Sequence, residues 1–184
     1  SHNVSNALAV LAVARILQIK DSTTFKALSE YMGSWRRFEI IKTKPYILIS
    51  DYAHHPNEIR ATISAMREKY PRRRLLVVFQ PHQRDRLTKL FSDFTRAFGG
   101  ASQVALLPVY DVAGRESGGG KTSQDLYRAV AARQDAVYLK NFTEAFTIIE
   151  KTSLPAEAPQ GRRWVVIFMG AGNIDTDVRT YFRS

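Results

Sequence analysis

The chain has 184 residues, 45% of them hydrophobic and 24% charged, which is a globular composition with enough apolar residues for one core. It has no cysteine, which excludes disulfides, thiolate nucleophiles and cysteine-based zinc sites, and no apolar run reaches the ~18 residues of a membrane span. An excess of 27 Lys and Arg over 17 Asp and Glu gives a net charge of +10, which favours anionic partners but equally describes a solvated basic surface.

Two helices are predicted at the start of the chain. Apolar residues recur at helical spacing over residues 3–19, which predicts an amphipathic helix. A second helix is predicted over residues 24–32, with Ser22 and Thr23 as capping candidates and Gly33 as its end.

Short apolar strands then alternate with helices. The predicted strands are 38–42, 46–50, 75–79, 104–107, 136–139 and 164–168, and the predicted helices are 56–70, 85–98, 123–133, 143–151 and 175–182. This alternation predicts an α/β fold: a mostly parallel sheet of about six strands, with helices on both faces and a helical lead-in before it.

In such sheets, functional residues lie in the loops after the carboxyl ends of the strands. Here those loops are residues 51–56, 80–86, 108–122 and 170–173, and the first two contain three of the four histidines. We therefore expect polar side chains to converge at one edge of the sheet.

Two glycine-rich segments are weak signals for phosphate binding. Residues 117–122 end in Gly-Lys-Thr, but a phosphate loop needs glycine where Arg115 stands, so we interpret the segment as a loop that at most touches an anion. Gly170-Ala171-Gly172 resembles half of a dinucleotide fingerprint and is as often only structural.

His54 and His55 follow a predicted strand. No third metal ligand accompanies them, so an acid–base or substrate-orienting role for one of them is favoured, with helix capping beside Pro56 as the structural alternative.

His82, Arg84 and Arg86 form a second cluster at a predicted helix start. Guanidinium groups there suit a carboxylate or a phosphate, whereas surface charge paired with Asp85 explains the cluster equally well. The same two interpretations apply to Arg36–Arg37.

Five motifs span the chain in order. They are His2-Asn3-Val4-Ser5-Asn6-Ala7, Arg36-Arg37-Phe38-Glu39, Asp51-Tyr52-Ala53-His54-His55-Pro56, Phe79-Gln80-Pro81-His82 and Gly170-Ala171-Gly172-Asn173-Ile174. Together they resemble the Mur ligases, the ATP-dependent amide-bond ligases of peptidoglycan assembly, and most closely the members that join L-alanine to UDP-N-acetylmuramate.

The resemblance implies a division of the chain. Residues 34–184 would be a Rossmann-like C-terminal domain that delivers the amino acid, and residues 1–33 the helical tail of a central ATPase domain. The phosphate loop and the magnesium ligands would lie mainly in that central domain, so the fragment alone is expected to be inactive.

The resemblance also implies the reaction and its partners. In the family, ATP phosphorylates the substrate carboxylate, and the incoming amine then attacks the acyl phosphate. The expected partners are ATP, Mg²⁺, UDP-N-acetylmuramate, L-alanine and the protein's own N-terminal and central domains. The expected location is the cytoplasm, without a membrane or nucleic acid.

Individual residues carry over by motif. Asn3 and Asn6, on one helical face, are implied to touch adenine and ribose. Arg37 would approach the nucleotide phosphates and Asp51 would accept hydrogen bonds from the ribose hydroxyls. No metal ligand is assigned to this chain.

The amino-acid side of the site is implied to consist of Tyr52, His54, His82 and Arg86. Arg86 would clamp the carboxylate of the amino acid, and His54 and Arg86 would be the catalytic residues. Asp85 departs from the family pattern beside them, which leaves the amino-acid contacts open, and Asn173 is a milder departure.

Two other functions stay open. A sister ligase that adds a whole tripeptide to UDP-N-acetylmuramate shares the His-His-Pro motif but usually lacks Phe-Gln-Pro-His. A basic α/β domain that binds nucleic acid is supported only by net charge and would bind with a steep dependence on salt.

Overall fold

The computed structural model describes residues 2–31, 35–42, 46–111, 119–153 and 164–183, and the chain divides into two units, Ser1–Ser34 and Trp35–Ser184. The first unit contains α1 (His2–Ile16) and α2 (Asp21–Glu30). Arg15 connects them through two hydrogen bonds to the Asp21 carboxylate, of 3.1 and 2.7 Å.

Both helices differ from their predicted bounds. α1 ends at Ile16 because Gln18 adopts a left-handed φ of +58° and Ile19 N donates to the Ala14 carbonyl, a hydrogen bond that closes a helix C-terminus. Ser22 and Thr23, the predicted caps, lie inside α2.

The apolar residues of α1 form no buried stripe. Val4, Leu8 and Ile16 are 62%, 61% and 79% exposed, and Ala14 is the buried apolar residue among those described in the helix. The predicted amphipathic pattern therefore gives no buried face among the described side chains of α1. Within the described parts of the chain, no helix is both long and apolar enough to cross a membrane.

The second unit is a sheet of six strands with helices on both faces. Its elements in chain order are β1 (Glu39–Lys42), β2 (Ile47–Asp51), α3 (Pro56–Lys69), β3 (Arg74–Phe79), α4 (Arg84–Lys89), α5 (Phe91–Phe94), β4 (Gln103–Leu106), α6 (Ser123–Ala131), β5 (Ala136–Tyr138), α7 (Phe142–Ser153), β6 (Trp164–Met169) and α8 (Ile174–Arg183). The strand order is β1-β2-β6-β3-β4-β5, and only β1 is antiparallel to its neighbour. The predicted fold class is confirmed.

The predicted helix over residues 85–98 is interrupted. α4 and α5 are separated at Leu90, whose φ of −108° and ψ of 19° are not helical. No glycine or proline marks this break, so apolar periodicity could not reveal it. The predicted turn at Lys44-Pro45 lies outside the described residues.

The central strands are apolar on both faces because each face is covered by helices. Along β3, Leu75, Val77 and Phe79 pack with α3 and α4–α6, whereas Leu76 and Val78 pack with α7 and α8. Two continuous cores therefore fix the sheet and, with it, the loops at its carboxyl edge.

Candidate functional site

The carboxyl ends of β2, β6, β3 and β4 lie side by side, so their loops form one surface. Backbone hydrogen bonds join them: Gly170 N donates to Asp51 O at 3.3 Å and Gln80 N donates to Met169 O at 3.0 Å. The predicted convergence of these loops at one edge is confirmed, and this surface is the candidate site.

Asp51, the last residue of β2, is held by its own chain. Its carboxylate accepts hydrogen bonds from Phe38 N and Ala53 N, both at 2.8 Å, and from the Thr62 hydroxyl at 3.3 Å. Burial raises the pKa of the Asp51 carboxyl, against the lowering effect of these hydrogen bonds. The side chain is fixed in place, and its four lone-pair sites leave room for one further donor.

The two arginines of the Arg36–Arg37 pair lie in different environments. Arg36 is buried, and its Nη2 donates to the carbonyl oxygens of Gly170 and Gly172, at 2.5 and 3.3 Å. Its guanidinium also lies 5.0 Å from the centre of the Tyr52 ring. Arg37 is exposed. Arg36 is therefore a structural residue, and Arg37 is the member of the pair that can meet a ligand from solvent.

An unusual backbone turns Arg36 inward. Arg36 and Phe38 have φ of +58° and +52°, a left-handed conformation that costs a residue with a side chain on the order of 1 kcal/mol or more. The hydrogen bonds of Arg36 N to Glu39 and of Phe38 N to Asp51 hold this conformation. Strained residues of this kind cluster at ligand sites, which supports a functional role for the segment.

A buried ionic network supports this segment from below. Asp175, 1% exposed, accepts hydrogen bonds from Ser50 Oγ at 2.6 Å and from Arg179 Nε at 2.9 Å. Arg36 Nε is 3.9 Å from the same carboxylate, and Arg179 also donates to Glu39 at 2.7 Å. Burial acts to raise the pKa of Asp175, but the bonds from Arg179 and Ser50 outweigh it and hold the pKa below its ordinary value. No sequence motif indicates this network.

The two adjacent histidines have different roles. His55 caps α3, because its Nδ1 accepts a hydrogen bond from Asn57 N and Glu58 accepts one from His55 N. His54 is half-buried, and its Nδ1 is 3.0 Å from the Tyr52 carbonyl oxygen. A carbonyl only accepts, so Nδ1 carries the proton and Nε2 is the basic nitrogen of the neutral ring. Capping is confirmed for His55, which leaves His54 as the candidate for chemistry.

Four aromatic rings form a row across three loops, which we call the aromatic row: Tyr52, His54, His82 and Tyr110. Successive ring centres are 5.1, 6.1 and 5.7 Å apart, and the last pair is stacked with an interplanar angle of 18°. Three of these residues were predicted to share a site, and the structure brings them together. Tyr110 was missed: its loop was identified, but no motif marked the residue.

The arginines of the β3 loop are also distinguished by their partners. Arg84 pairs with Asp111, through its backbone N at 3.0 Å and its Nη2 at 3.2 Å. Arg86 Nη1 is buried and has no hydrogen-bond partner among the described residues. A buried unpaired donor costs about 1–3 kcal/mol or more when charged, so Arg86 is the better candidate for an anionic ligand.

The glycine turn after β6 is required by close packing. A Cβ on Gly172 would lie 2.6 Å from both Gln80 Oε1 and Tyr110 Cγ. Beside it, Gln80 Nε2 donates to Asn173 Oδ1 at 3.0 Å. Close packing therefore explains the glycine at position 172 without a ligand. Asn173, which departs from the family pattern, contacts Gln80 within the chain.

The Gly-Lys-Thr segment ends in structural contacts. Thr122 caps α6 in a capping box with Asp125, and Lys121 Nζ lies 4.8 Å from the centre of the Phe91 ring. Ser117 and Gly118 lie outside the described residues. The prediction that this is no phosphate loop is consistent with these contacts.

The remaining candidates lie in the first unit. Asn6 is an exposed residue of α1, and the side chain of Asn3 lies outside the described part of the structure. In the described ranges, no group of three or more His, Cys, Asp or Glu side chains is placed to hold a metal ion.

Known proteins share both the sequence pattern and the fold. A sequence profile described as "Mur ligase, glutamate ligase domain" matches residues 36–172. The chain is 37% identical to a UDP-N-acetylmuramate–L-alanine ligase of Synechococcus sp. (strain JA-2-3B'a(2-13)), over 100% of this chain and 37% of that protein.

Two solved structures extend the comparison. UDP-N-acetylmuramate–alanine ligase of Thermotoga maritima superposes with a TM-score of 0.72 at 27% identity, covering 99% of this chain and 37% of that one. A domain of a Haemophilus ducreyi 35000HP ligase superposes with a TM-score of 0.55 at 19% identity, covering 80% of this chain and 98% of that one, which shows a likeness of fold alone.

The chain thus spans little more than a third of the length of the Synechococcus and Thermotoga proteins. The profile match covers most of the second unit and contains every candidate residue identified there. The chain therefore belongs to the Mur ligase family, in its glutamate ligase domain.

Proposed function

We propose that the chain is part of an ATP-dependent ligase that joins L-alanine to UDP-N-acetylmuramate. The observation that carries this proposal is the 37% identity, over the whole chain, to a relative named for that activity. Because the chain covers 37% of that relative, the activity is assigned to the intact protein. Residues 34–184 would be its amino-acid-delivering domain and residues 1–33 the tail of its central domain.

For the nucleotide, we assign Arg37, Asp51, Asn3 and Asn6. Arg37 is exposed beside strained backbone, as a group that meets phosphate oxygens from solvent needs to be. Asp51 is fixed by three hydrogen bonds and retains acceptor capacity for a ribose hydroxyl. The two asparagines rest on the family motif and on their shared helical face.

For the amino acid, we assign Tyr52, His54, His82 and Arg86. Arg86 would bind the carboxylate, because a guanidinium matches a carboxylate and one of its nitrogens is unpaired. Tyr52 and His82 flank His54 in the aromatic row and would enclose the small side chain of alanine.

The chemistry follows from these positions. ATP, when bound with Mg²⁺, supplies the phosphoryl group that activates the carboxylate of the sugar. His54 would accept a proton at Nε2 from the attacking amino group, because its Nδ1 proton is engaged by the Tyr52 carbonyl. Enclosure of the site between domains would exclude water from the activated carboxylate. Magnesium is assigned to the central domain, and the cytoplasm, where ATP and UDP-linked sugars occur, is the proposed location.

The test uses the intact protein with UDP-N-acetylmuramate, ATP and Mg²⁺, and compares ADP release with L-alanine, glycine, L-serine and the stem tripeptide. We expect turnover led by L-alanine. In the Arg86→Ala variant the KM for alanine should rise by about 100-fold, as for a lost charged hydrogen bond. The matched Arg60→Ala variant, in an exposed part of α3, should behave as the parent.

Other outcomes would overturn the proposal. Turnover with the tripeptide alone would assign the chain to the sister ligase that adds a whole tripeptide to UDP-N-acetylmuramate. No turnover with any acceptor would refute a ligase activity and would call for a salt titration of nucleic-acid binding.

A further inference from the structure

The loop after β4, residues 107–111, contacts the β3 loop on which His82 and Arg86 lie. We propose that Tyr110 and Asp111 are positioning residues that hold the β3 loop in the geometry that receives the amino acid. The inference rests on the proposed function for its substrate. We call these two residues and their contacts the Tyr110–Asp111 clamp.

The backbone of Tyr110 brackets His82 on both sides. Tyr110 N donates to Pro81 O at 2.8 Å, and Gln83 N donates to Tyr110 O at 2.9 Å. These two bonds form a parallel bridge between His82 and Tyr110, beyond the last paired residues of β3 and β4. The position of the His82 backbone therefore depends on the β4 loop.

The side chain of Tyr110 fixes the ring of His82. The two rings are stacked 5.7 Å apart, and the Tyr110 ring also lies against the glycine turn, where a Cβ on Gly172 would lie 2.6 Å from Tyr110 Cγ. The Tyr110 ring is thus wedged between the β3 and β6 loops. A residue without a ring at this position would leave His82 able to change its rotamer.

Asp111 determines which arginine meets the ligand. It binds Arg84 through the backbone N, at 3.0 Å, and through the guanidinium, at 3.2 Å. With Arg84 engaged, Arg86 is the arginine of α4 with an unpaired buried nitrogen. Gln83, just before α4, has a φ of +66°, a conformation that a residue with a side chain adopts only when its surroundings enforce it. The clamp supplies that enforcement.

The first test does not depend on catalysis. Histidine-labelled 184-residue chain is used for NMR, since a domain of this fold from Haemophilus ducreyi was solved by itself. The readout is the cross-relaxation between the rings of His54 and His82, whose centres are 6.1 Å apart. We expect it to be lost in Tyr110→Ala and in Asp111→Ala, and to be retained in Tyr110→Phe, which keeps the stacked ring.

The second test uses the intact protein and separates KM from kcat. In Tyr110→Ala and Asp111→Ala, the KM for L-alanine should rise roughly 10- to 100-fold, as expected for a misplaced binding group, while the KM for ATP stays at the parent value. Tyr110→Phe should restore the alanine KM. The controls are Tyr127→Ala and Asp125→Ala, which remove a tyrosine and an ion-paired aspartate at α6 and should leave the alanine KM unchanged.

The outcomes separate this inference from the proposed function. Retained cross-relaxation together with an unchanged alanine KM in both clamp variants would overturn the clamp. An equal rise of the KM in the α6 controls would also overturn it, because the effect would then be general destabilisation. If the intact parent shows no alanine-dependent turnover, the proposed function fails, and the His54–His82 cross-relaxation still decides whether the clamp positions His82.

Discussion

Neighbouring residues of the same type can have unrelated roles, and Arg36 and Arg37 are an example. Arg36 is buried against two carbonyl oxygens and near Asp175, whereas Arg37 is exposed. The difference arises from the left-handed backbone at Arg36 and Phe38, which an identical pair of letters does not indicate. Arg36 supports the turn after β6, and Arg37 remains available to a ligand.

Replacing Arg36 by alanine should lower the free energy of unfolding by about 3 kcal/mol, because two buried carbonyls lose a charged donor and Asp175 loses a nearby cation. Arg37→Ala, the same change one residue later, should stay within about 0.5 kcal/mol of the parent. Urea unfolding of both variants measures the difference. Equal losses would contradict the division of roles between the two arginines.

At the scale of elements, the ionic network joins three of them at the edge of the sheet. Asp175 of α8 contacts Ser50 of β2, and Arg179 of α8 contacts Glu39 of β1. β1 is the antiparallel edge strand, with a sheet neighbour on one side only. The network therefore adds side-chain hydrogen bonds at the edge strand, which has backbone hydrogen bonds to a neighbouring strand on one side only.

Asp175 should make stability depend on pH. Its folded-state pKa is lowered below the ordinary 3.8, so its charge stabilises the fold above that value, and this stabilisation is lost as the pH falls through the lower folded-state pKa. Asp175→Asn should lower the free energy of unfolding by about 2 kcal/mol at pH 7, and this difference between variant and parent should become smaller in acid. Urea unfolding between pH 7 and pH 3 measures this gap.

Asp177 on the same helix is the matched control. Burial raises its pKa in the folded state. The contribution of Asp177 to the stability of the fold is therefore present at low pH and is lost as the pH rises through the folded-state pKa. On acidification, the free energy of unfolding of the parent should therefore rise relative to that of Asp177→Asn. For Asp175→Asn the parent should instead lose its advantage. The same trend in both variants would refute the assigned directions of the two pKa values.

At the scale of the whole molecule, the chain spans 37% of the length of its Synechococcus relative. Its first unit exposes large apolar side chains, among them Val4, Leu8 and Ile16. Apolar exposure of this extent on one helix indicates a surface that meets further protein. Under the proposed function, the site would be completed by the other domains of a longer protein.

The 184-residue chain alone should therefore release no ADP when ATP, Mg²⁺, UDP-N-acetylmuramate and L-alanine are all present. The physical reason is that, under the proposed function, the groups that bind Mg²⁺ and the transferred phosphate lie mainly in the central domain. The intact protein under the same conditions is the control. Alanine-dependent ADP release by the isolated chain would contradict the proposed division of the site.

The sequence by itself determined the α/β class, the six strands and the edge at which the loops meet. These follow from local pattern, because apolar runs of strand length between helices leave few ways to cover a parallel sheet. The motifs also placed Asp51, His54, His82 and Arg86 in loops of that edge, and the structure brings the rings of His54 and His82 together there.

Tertiary structure alone decided which member of each candidate pair faces solvent or ligand. Arg84 pairs with Asp111 and Arg36 donates to the carbonyls of the β6 loop, both through contacts with distant parts of the chain, whereas the His55 cap is local and was already an alternative at the sequence level. It also decided the break at Leu90 and the place of Tyr110 in the aromatic row. Such roles depend on what packs across the loops, and contacts between distant residues have no local signature in a single sequence.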